Sequence, residues 1–247
     1  MRIDGTTALV TGANRGCGRA NVQALLDAGA AKVYAAARRV DSVPFTDARV
    51  VPLKLDLTVD ADIEAAAAQA SDVALLVHNA GHCAYQGLMT SPALDEAHVE
   101  MATNLWGPLR LTRALRPALQ AQGGGCVVTM CSVVAFANMP SIGSLSVSKA
   151  ALHNATQGLR AEMAQIGTQV VGVYPSMVDT DMMAGTEGAK MDPDALAREV
   201  VDAIARDATE VFPGKQAKQI RDNLEKDRGA VERRFAQFTP KARVRVA

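Results

Sequence analysis

The sequence predicts an α/β fold: one doubly wound parallel sheet of about seven strands with helices on both faces. Three observations carry that prediction. Short apolar runs of strand length recur along the chain, as in TALVT, KVYAAA and CVVTMC, and such runs read as strands buried on both faces. Alanine-rich or amphipathic stretches of helical length alternate with them. The first run also passes directly into a glycine-rich turn that opens a helix.

Composition narrows the class. The chain has 247 residues, 49% hydrophobic and 21% charged, with a formal net charge of zero. That length suits one α/β domain over residues 1–247. A balanced charge offers no electrostatic attraction to nucleic acid or an anionic membrane, and no apolar run approaches the roughly 20 residues of a membrane span. The N-terminus lacks the pattern of a signal peptide. Cys17, Cys83, Cys126 and Cys131 show no metal-type spacing, nor do His78, His82, His98 and His153. Free thiols in apolar segments fit a reducing cytoplasm, and no metal is expected.

Taken in order, Thr7–Thr11 reads as the first strand, followed by Gly12-Ala13-Asn14-Arg15-Gly16-Cys17-Gly18 and a helical pattern. Glycines there permit a tight turn and let backbone N–H groups approach a pyrophosphate at the positive end of the helix. This is the start of a dinucleotide-binding unit. Lys32–Ala37 reads as the second strand and ends at Arg38 and Arg39. An acidic residue at this place bonds the ribose of NAD, whereas arginine pairs with the 2′-phosphate of NADP. Ala37 stands where the acid would be, so Arg38, with Arg15 in reach of the same phosphate, predicts NADP(H).

Residues 50–55 form the third strand, ended by Asp56 and Leu57, and residues 60–70 an alanine-rich helix. Residues 74–77 form the fourth strand and run into Asn79-Ala80-Gly81. Residues 92–122 read as one long helix, in which Asn104 is locally unfavourable unless a partner satisfies it. The fifth strand precedes Ser132. The sixth spans residues 169–174 and leads into Pro175. Residues 181–191 are a polar loop with Met182 and Met183 as apolar lining. Asp192 and Pro193 then cap and begin a helix. Residues 210–214 close the sheet, and a charged helix and tail follow.

The stretch from Ser132 to Lys149 reads SVVAFANMPSIGSLSVSK, with a helical run beginning at the lysine. A serine at a strand end and a lysine in the first turns of the next helix can face one cavity. Together with TGxxxGxG at residues 11–18, Asn79-Ala80-Gly81 and Asn104-Leu105-Trp106-Gly107, this stretch resembles the classical short-chain dehydrogenase/reductase family. The resemblance covers nearly the whole chain. The family carries a tyrosine between serine and lysine, with three residues separating it from the lysine. Leu145 holds that place here.

The resemblance implies a Rossmann-type domain, with Asp56 and Leu57 at the adenine and the backbone of Asn79, Ala80 and Gly81 passing the adenosine. It implies that Asn104 holds a relay water, that Ser132 hydrogen-bonds the substrate carbonyl, and that Lys149 binds the nicotinamide ribose. Pro175-Ser176-Met177-Val178-Asp179-Thr180 resembles the family's PGxxxT segment, with Ser176 in the glycine's place. By that likeness Pro175 and Val178 flank the nicotinamide amide and Thr180 the diphosphate. With Gly12, Asn14, Arg15, Gly16, Cys17, Gly18 and Arg38 these complete the expected cofactor site. The family's usual assembly implies a homodimer or homotetramer, and a small molecule is the expected substrate.

Leu145 changes the chemistry. In the family the tyrosine hydroxyl protonates the developing alkoxide, and a positioned general acid contributes about 10² to 10⁴-fold. Leucine has no proton to give. Three readings accommodate it: a carbonyl reductase whose tyrosine was deliberately replaced, a natural reductase of C=N groups that arrive already protonated, or a non-catalytic NADP-binding sensor or interaction protein. Tyr34, Tyr85, Tyr174 and His82 are the candidate substitutes for the acid. NADPH-dependent hydride transfer to a C=O or C=N group is the expected activity.

Overall fold

The computed structural model describes residues 1–90 and 94–240. The strands are β1 (Thr7–Thr11), β2 (Lys32–Ala37), β3 (Val50–Lys54), β4 (Leu75–His78), β5 (Gly125–Met130), β6 (Thr168–Val173) and β7 (Glu210–Val211). They form one sheet in the order β3-β2-β1-β4-β5-β6-β7, and every pairing is parallel. Pro52 lies in β3, at the sheet's edge, where a missing N–H is tolerated.

The helices are α1 (Gly16–Asp27), α2 (Asp60–Gln69), α3 (Asp95–Met101), α4 (Gly107–Ala121), α5 (Gly143–Ala164), α6 (Pro193–Ala205), α7 (Gly214–Lys226) and α8 (Arg228–Ala236). Side chains alternate across a strand, and both faces of this sheet are apolar. Ala8 and Val10 pack with Val22 and Leu25 of α1 and Val200 and Ile204 of α6. Leu9 points to the other layer, against Ile63 of α2 and Leu111 and Leu115 of α4. A third cluster gathers Leu152 of α5, Tyr174, Phe212, Ile220 of α7 and Phe235 of α8.

Sequence expectations change at several elements: the last strand, read over residues 210–214, covers only Glu210–Val211, and Gly214 opens α7. The helix read over residues 92–122 starts at Asp95 and is divided: a π-helical segment, Ala102–Trp106, separates α3 from α4. Pro92, its expected start, lies outside the described residues. The charged C-terminal segment is two helices rather than one. The backbone breaks at Asp227, which is extended (φ −154°) and caps α8 by accepting from the Ala230 N–H at 2.9 Å.

Sequence order reverses between β1 and β4, so the crevice beyond the C-terminal ends of these strands is the topological switch point where α/β sheets bind ligands. The turns after β1, β4, β5 and β6 all emerge on that edge.

Candidate active site

The turn after β1 is shaped by close approach. Gly12 and Gly16 have φ of +65° and +50°, a region glycine enters without steric cost. A Cβ on Gly18 would fall 2.0 Å from the Gly12 carbonyl oxygen, and one on Gly16 would fall 3.0 Å from Thr180 Cγ2. The turn therefore packs against the segment after β6. The start of α1 has no side-chain cap and no acidic residue in its first turn, which leaves its N–H groups and dipole open to an anion. These features fit a dinucleotide diphosphate. Burial pushes the Cys17 thiol up to about 11, so it remains protonated.

Asn79 fastens the next turn to the first. Its Nδ2 donates to the Thr11 carbonyl at 2.9 Å, while the N–H groups of Asn79 and Ala80 both donate to Thr11 Oγ1 at 3.0 Å. At the end of β3, Asp56 accepts from the Thr58 N–H at 2.9 Å and hydroxyl at 2.7 Å. Burial raises the Asp56 pKa, but these bonds and the Arg38 charge outweigh it, and the net shift is downward. Arg38 and Asp56 thus act on one corner. Leu57 is buried beneath it.

Asn104 lies in the π segment, buried. Its Oδ1 accepts from the His82 N–H at 2.8 Å, and its Nδ2 donates to the His82 carbonyl and to Ser148 Oγ, both at 2.9 Å. The polar misfit foreseen in the sequence is satisfied from two other elements. π segments recur where a helix accommodates such a group. One turn earlier, Glu100 is fully buried, and its Oε1 accepts from the Ala84 N–H at 2.7 Å.

Ser132 ends β5 and links it to the segment after β6, donating to the Pro175 carbonyl at 3.3 Å. Lys149 is buried and its Nζ donates to the Met130 carbonyl at 2.6 Å. A Cβ on Gly81 would lie 3.4 Å from Asn104 Oδ1 and 3.7 Å from Lys149 Nζ, so Gly81, Asn104 and Lys149 converge. Burial lowers the lysine's pKa, opposed by Cys131, Cys83 and Glu100. Lys149 does not begin its helix, as the sequence suggested; α5 starts at Gly143. Leu145 is therefore helical, one turn before Lys149 on the same face, and half-buried.

The segment after β6 accommodates serine at position 176. Among the described residues only Tyr85 and Asp207 are non-glycine residues with positive φ, so no left-handed conformation is demanded of Ser176. Val178 pairs with Met191 in a parallel bridge that closes the base of the 181–191 loop. Thr180 packs on Gly16, and Asp181 Oδ2 meets Arg15 Nη1 at 2.9 Å, both side chains exposed. Arg15, expected within reach of the cofactor phosphate, is thus paired with a carboxylate here, a partner the sequence reading did not foresee. Met182 is partly exposed.

The candidate substitutes for the acid separate by position. The Tyr34 hydroxyl bonds the Gln69 carbonyl and Asp72, both at 3.0 Å, at the start of β4 and so at the opposite end of the sheet. Tyr174 turns back along β6: its hydroxyl meets His153 Nδ1 at 2.7 Å and would lie 2.6 Å from a Cβ on Gly172. His82 directs its ring to Glu96 at 3.0 Å. His82 and Tyr85 share the loop after β4 on the candidate edge, and of the two the His82 ring is engaged by Glu96. Glu100 and the strained backbone of Tyr85 were not foreseen. The sole sequence signal for Glu100 is its four-residue spacing from Asn104.

The family model described as short chain dehydrogenase matches residues 6–190. This chain belongs to the short-chain dehydrogenase family, and it is an oxidoreductase of that class. A short chain dehydrogenase from Burkholderia cenocepacia J2315, solved in complex with NADP, is similar with a TM-score of 0.91 and 37% identity, over 96% of this chain and 99% of that one. A short-chain dehydrogenase from Streptomyces avermitilis aligns with a TM-score of 0.81 and 26% identity, over 94% and 97% of the two chains. An uncharacterized oxidoreductase of Staphylococcus haemolyticus is 29% identical over 219 residues, 83% of this chain and 94% of that protein.

Among the described residues no helix is long and apolar enough to cross a membrane, and no group of three or more His, Cys, Asp or Glu side chains is placed to hold a metal ion.

Proposed function

We propose that this chain is an NADP(H)-dependent oxidoreductase that reduces a C=O or C=N group of a small apolar substrate, with Leu145 in the place of the family's acid. The observation that carries this reading is the convergence of Gly81, Asn104 and Lys149 beside an uncapped helix N-terminus. Gly12, Asn14, Arg15, Gly16, Cys17 and Gly18 would hold the diphosphate side, with Thr180 opposite. Arg38 would meet the 2′-phosphate, Asp56 and Leu57 the adenine, and Asn79, Ala80 and Gly81 the adenosine. Pro175 and Val178 would flank the nicotinamide, whose ribose falls to Lys149. The reduced cofactor supplies hydride when bound.

The chain's own residues then have distinct tasks. Lys149, desolvated and donor-only, orients a ribose by hydrogen bonding. Ser132 Oγ can donate to a substrate carbonyl oxygen or accept from the N–H of an iminium. An iminium already carries its proton on nitrogen, so hydride addition at its carbon completes the reduction with no acid from position 145. A ketone needs one.

NADPH consumption on ketones and cyclic imines, by this chain and by Leu145→Tyr, tests the reading. Ketone turnover restored by tyrosine marks a carbonyl reductase lacking its helical acid. Imine turnover that leucine already supports and tyrosine does not improve marks C=N chemistry. Tight NADPH binding with no turnover in either form argues for the non-catalytic alternative. Exposed Val99, Trp106 and Val147 on neighbouring helical segments support self-association as a homodimer or homotetramer, and the free thiols of Cys17, Cys83, Cys126 and Cys131 suit a reducing cytoplasm.

A further inference from the structure

The loop after β4 holds a conformational outlier. Tyr85 has φ +53°, a region that costs a bulky residue about 1–3 kcal/mol and persists where its surroundings over-determine it. They do so here from both sides. Upstream, Asn104 holds His82 by its N–H and carbonyl, at 2.8 and 2.9 Å, and Glu100 holds the Ala84 N–H at 2.7 Å. Downstream, the Gln86 carbonyl accepts from the Gly143 N–H at 3.0 Å. Gly143 opens α5 two positions before Leu145, and a Cβ there would press Leu88 Cγ at 3.2 Å.

The strained residue is therefore fixed between the segment carrying Asn104 and the helix carrying Leu145 and Lys149. Glu100 is an unusual means of fixing it. Its carboxylate is wholly buried and one oxygen, Oε2, has no partner, an arrangement that is costly unless the bond it makes is needed.

We propose that Tyr85 supplies the proton that Leu145 cannot, acting as general acid toward the substrate oxygen from the loop after β4 instead of from α5. The inference rests on the reductase reading above. As the substrate carbon gains hydride with its electron pair, the C=O π electrons move to oxygen. The Tyr85 O–H bond breaks, its proton passes to that oxygen, and the phenolate recovers a proton from water. Tyr85 is 47% exposed, so solvent can recharge it directly. Burial and the neighbouring Cys83 raise the phenol's pKa and keep it protonated at neutral pH. Cys83 in turn lies within the electrostatic reach of Lys149.

The test compares four proteins: this chain, Tyr85→Phe, Leu145→Tyr and the double variant. Each is given NADPH with cyclohexanone, acetophenone and a cyclic imine. The expected result is a loss of about 10²-fold or more in ketone kcat for Tyr85→Phe, with NADPH affinity and melting temperature unchanged. Leu145→Tyr should restore ketone turnover in the Tyr85→Phe background, and imine turnover should respond little to either change. An ultraviolet titration of tyrosinate, taken as the difference between this chain and Tyr85→Phe, supplies a readout independent of turnover. Adding NADP⁺ should lower the Tyr85 titration by about one pH unit, because a cation nearby favours the phenolate. Wild-type ketone turnover in Tyr85→Phe with an unmoved titration overturns the proposal and leaves the reductase reading standing. Failure of the unaltered chain to turn over any of the three, while it binds NADPH, overturns both.

Discussion

Asn104 grips His82 by both of that residue's backbone polar groups, donating to the carbonyl at 2.9 Å and accepting from the N–H at 2.8 Å. The same amide donates to Ser148, the neighbour of Lys149. One side chain thereby joins the loop after β4, the π segment between α3 and α4, and α5. These are the elements that bring Gly81, Lys149 and Tyr85 to one edge of the sheet.

Asn104→Ala should expose that dependence. It orphans the His82 N–H and carbonyl, and a buried polar group left unpaired costs about 1–3 kcal/mol. A stability loss of about 2–4 kcal/mol is expected from the pair. Asn104→Asp keeps the acceptor for the His82 N–H but presents no donor to the His82 carbonyl or to Ser148, and should do no better than alanine at neutral pH. Urea midpoints with unchanged slopes would measure both. An alanine variant that unfolds at the wild-type midpoint would remove the clamp from the account.

His78 makes stability pH-dependent. It is buried in β4, with Nε2 2.7 Å from Thr112 Oγ1 and Nδ1 unpartnered. The Thr112 hydroxyl donates to the Pro108 carbonyl at 2.9 Å, so the tautomer that satisfies both bonds carries its proton on Nε2. Burial pushes the pKa down from 6.5 to about 3. Between those values the unfolded chain binds a proton that the folded chain refuses, so stability rises with pH through this window and levels above it. The slope approaches about 1.4 kcal/mol per pH unit. His153, also lowered by burial, acts in the same direction. The difference between wild type and His78→Gln, measured as urea midpoint against pH, isolates the His78 share. Parallel curves from pH 4 to 7 would show that His78 contributes none of it.

Much of this arrangement was legible in the sequence, for local reasons. Apolar runs marked the strands, the glycine turn announced its own geometry, and Asp192 was recognisable as a cap, which it is, accepting from the Asp194 and Ala195 N–H groups at 3.2 Å. What escaped was set by distant partners. The π segment answers to Asn104's bonds with His82 and Ser148, 22 and 44 residues away. The early start of α5 depends on Gln86, since Pro140 and Gly143 read locally as loop. Glu100 reads as an exposed helical charge until the loop after β4 is laid over it. Tyr85 was a candidate by residue type, but its strained conformation gave no signal, because left-handed backbone at a bulky residue is imposed by its surroundings rather than by preference.

Gly172 and Tyr174 form a matched pair on β6. The tyrosine ring lies over the glycine, and a Cβ at position 172 would meet its hydroxyl oxygen at 2.6 Å and ring carbons at 2.9 and 3.0 Å. The ring cannot yield readily, being stacked 4.9 Å from Phe212 and bonded to His153. Gly172→Ala should cost about 1–3 kcal/mol by overpacking. Adding Tyr174→Leu should recover part of that loss, so the two changes together cost less than the sum of each alone. A thermal-melting double-mutant cycle reads the coupling, and additivity would show that the contact is relieved elsewhere.

Arg15 and Asp181 span the glycine turn and the loop after β6 at 2.9 Å, with side chains 68% and 71% exposed. So open a pair contributes about 0–1 kcal/mol to stability, and Asp181→Asn should leave the melting temperature nearly unchanged. Its effect should appear in binding. If Arg15 serves a phosphate of the dinucleotide, Asp181 competes for the same guanidinium, and removing its charge should tighten NADPH binding by about two- to fivefold, the factor equivalent to a pair of this strength. Since exposed charges are screened by salt, the gain should shrink as ionic strength rises. Arg15→Ala should weaken binding and abolish the advantage of Asp181→Asn in the double variant. Calorimetric titration of NADPH into the four proteins at low and high salt gives the result. A gain that survives without Arg15 would show that Asp181 repels the cofactor directly instead of occupying its partner.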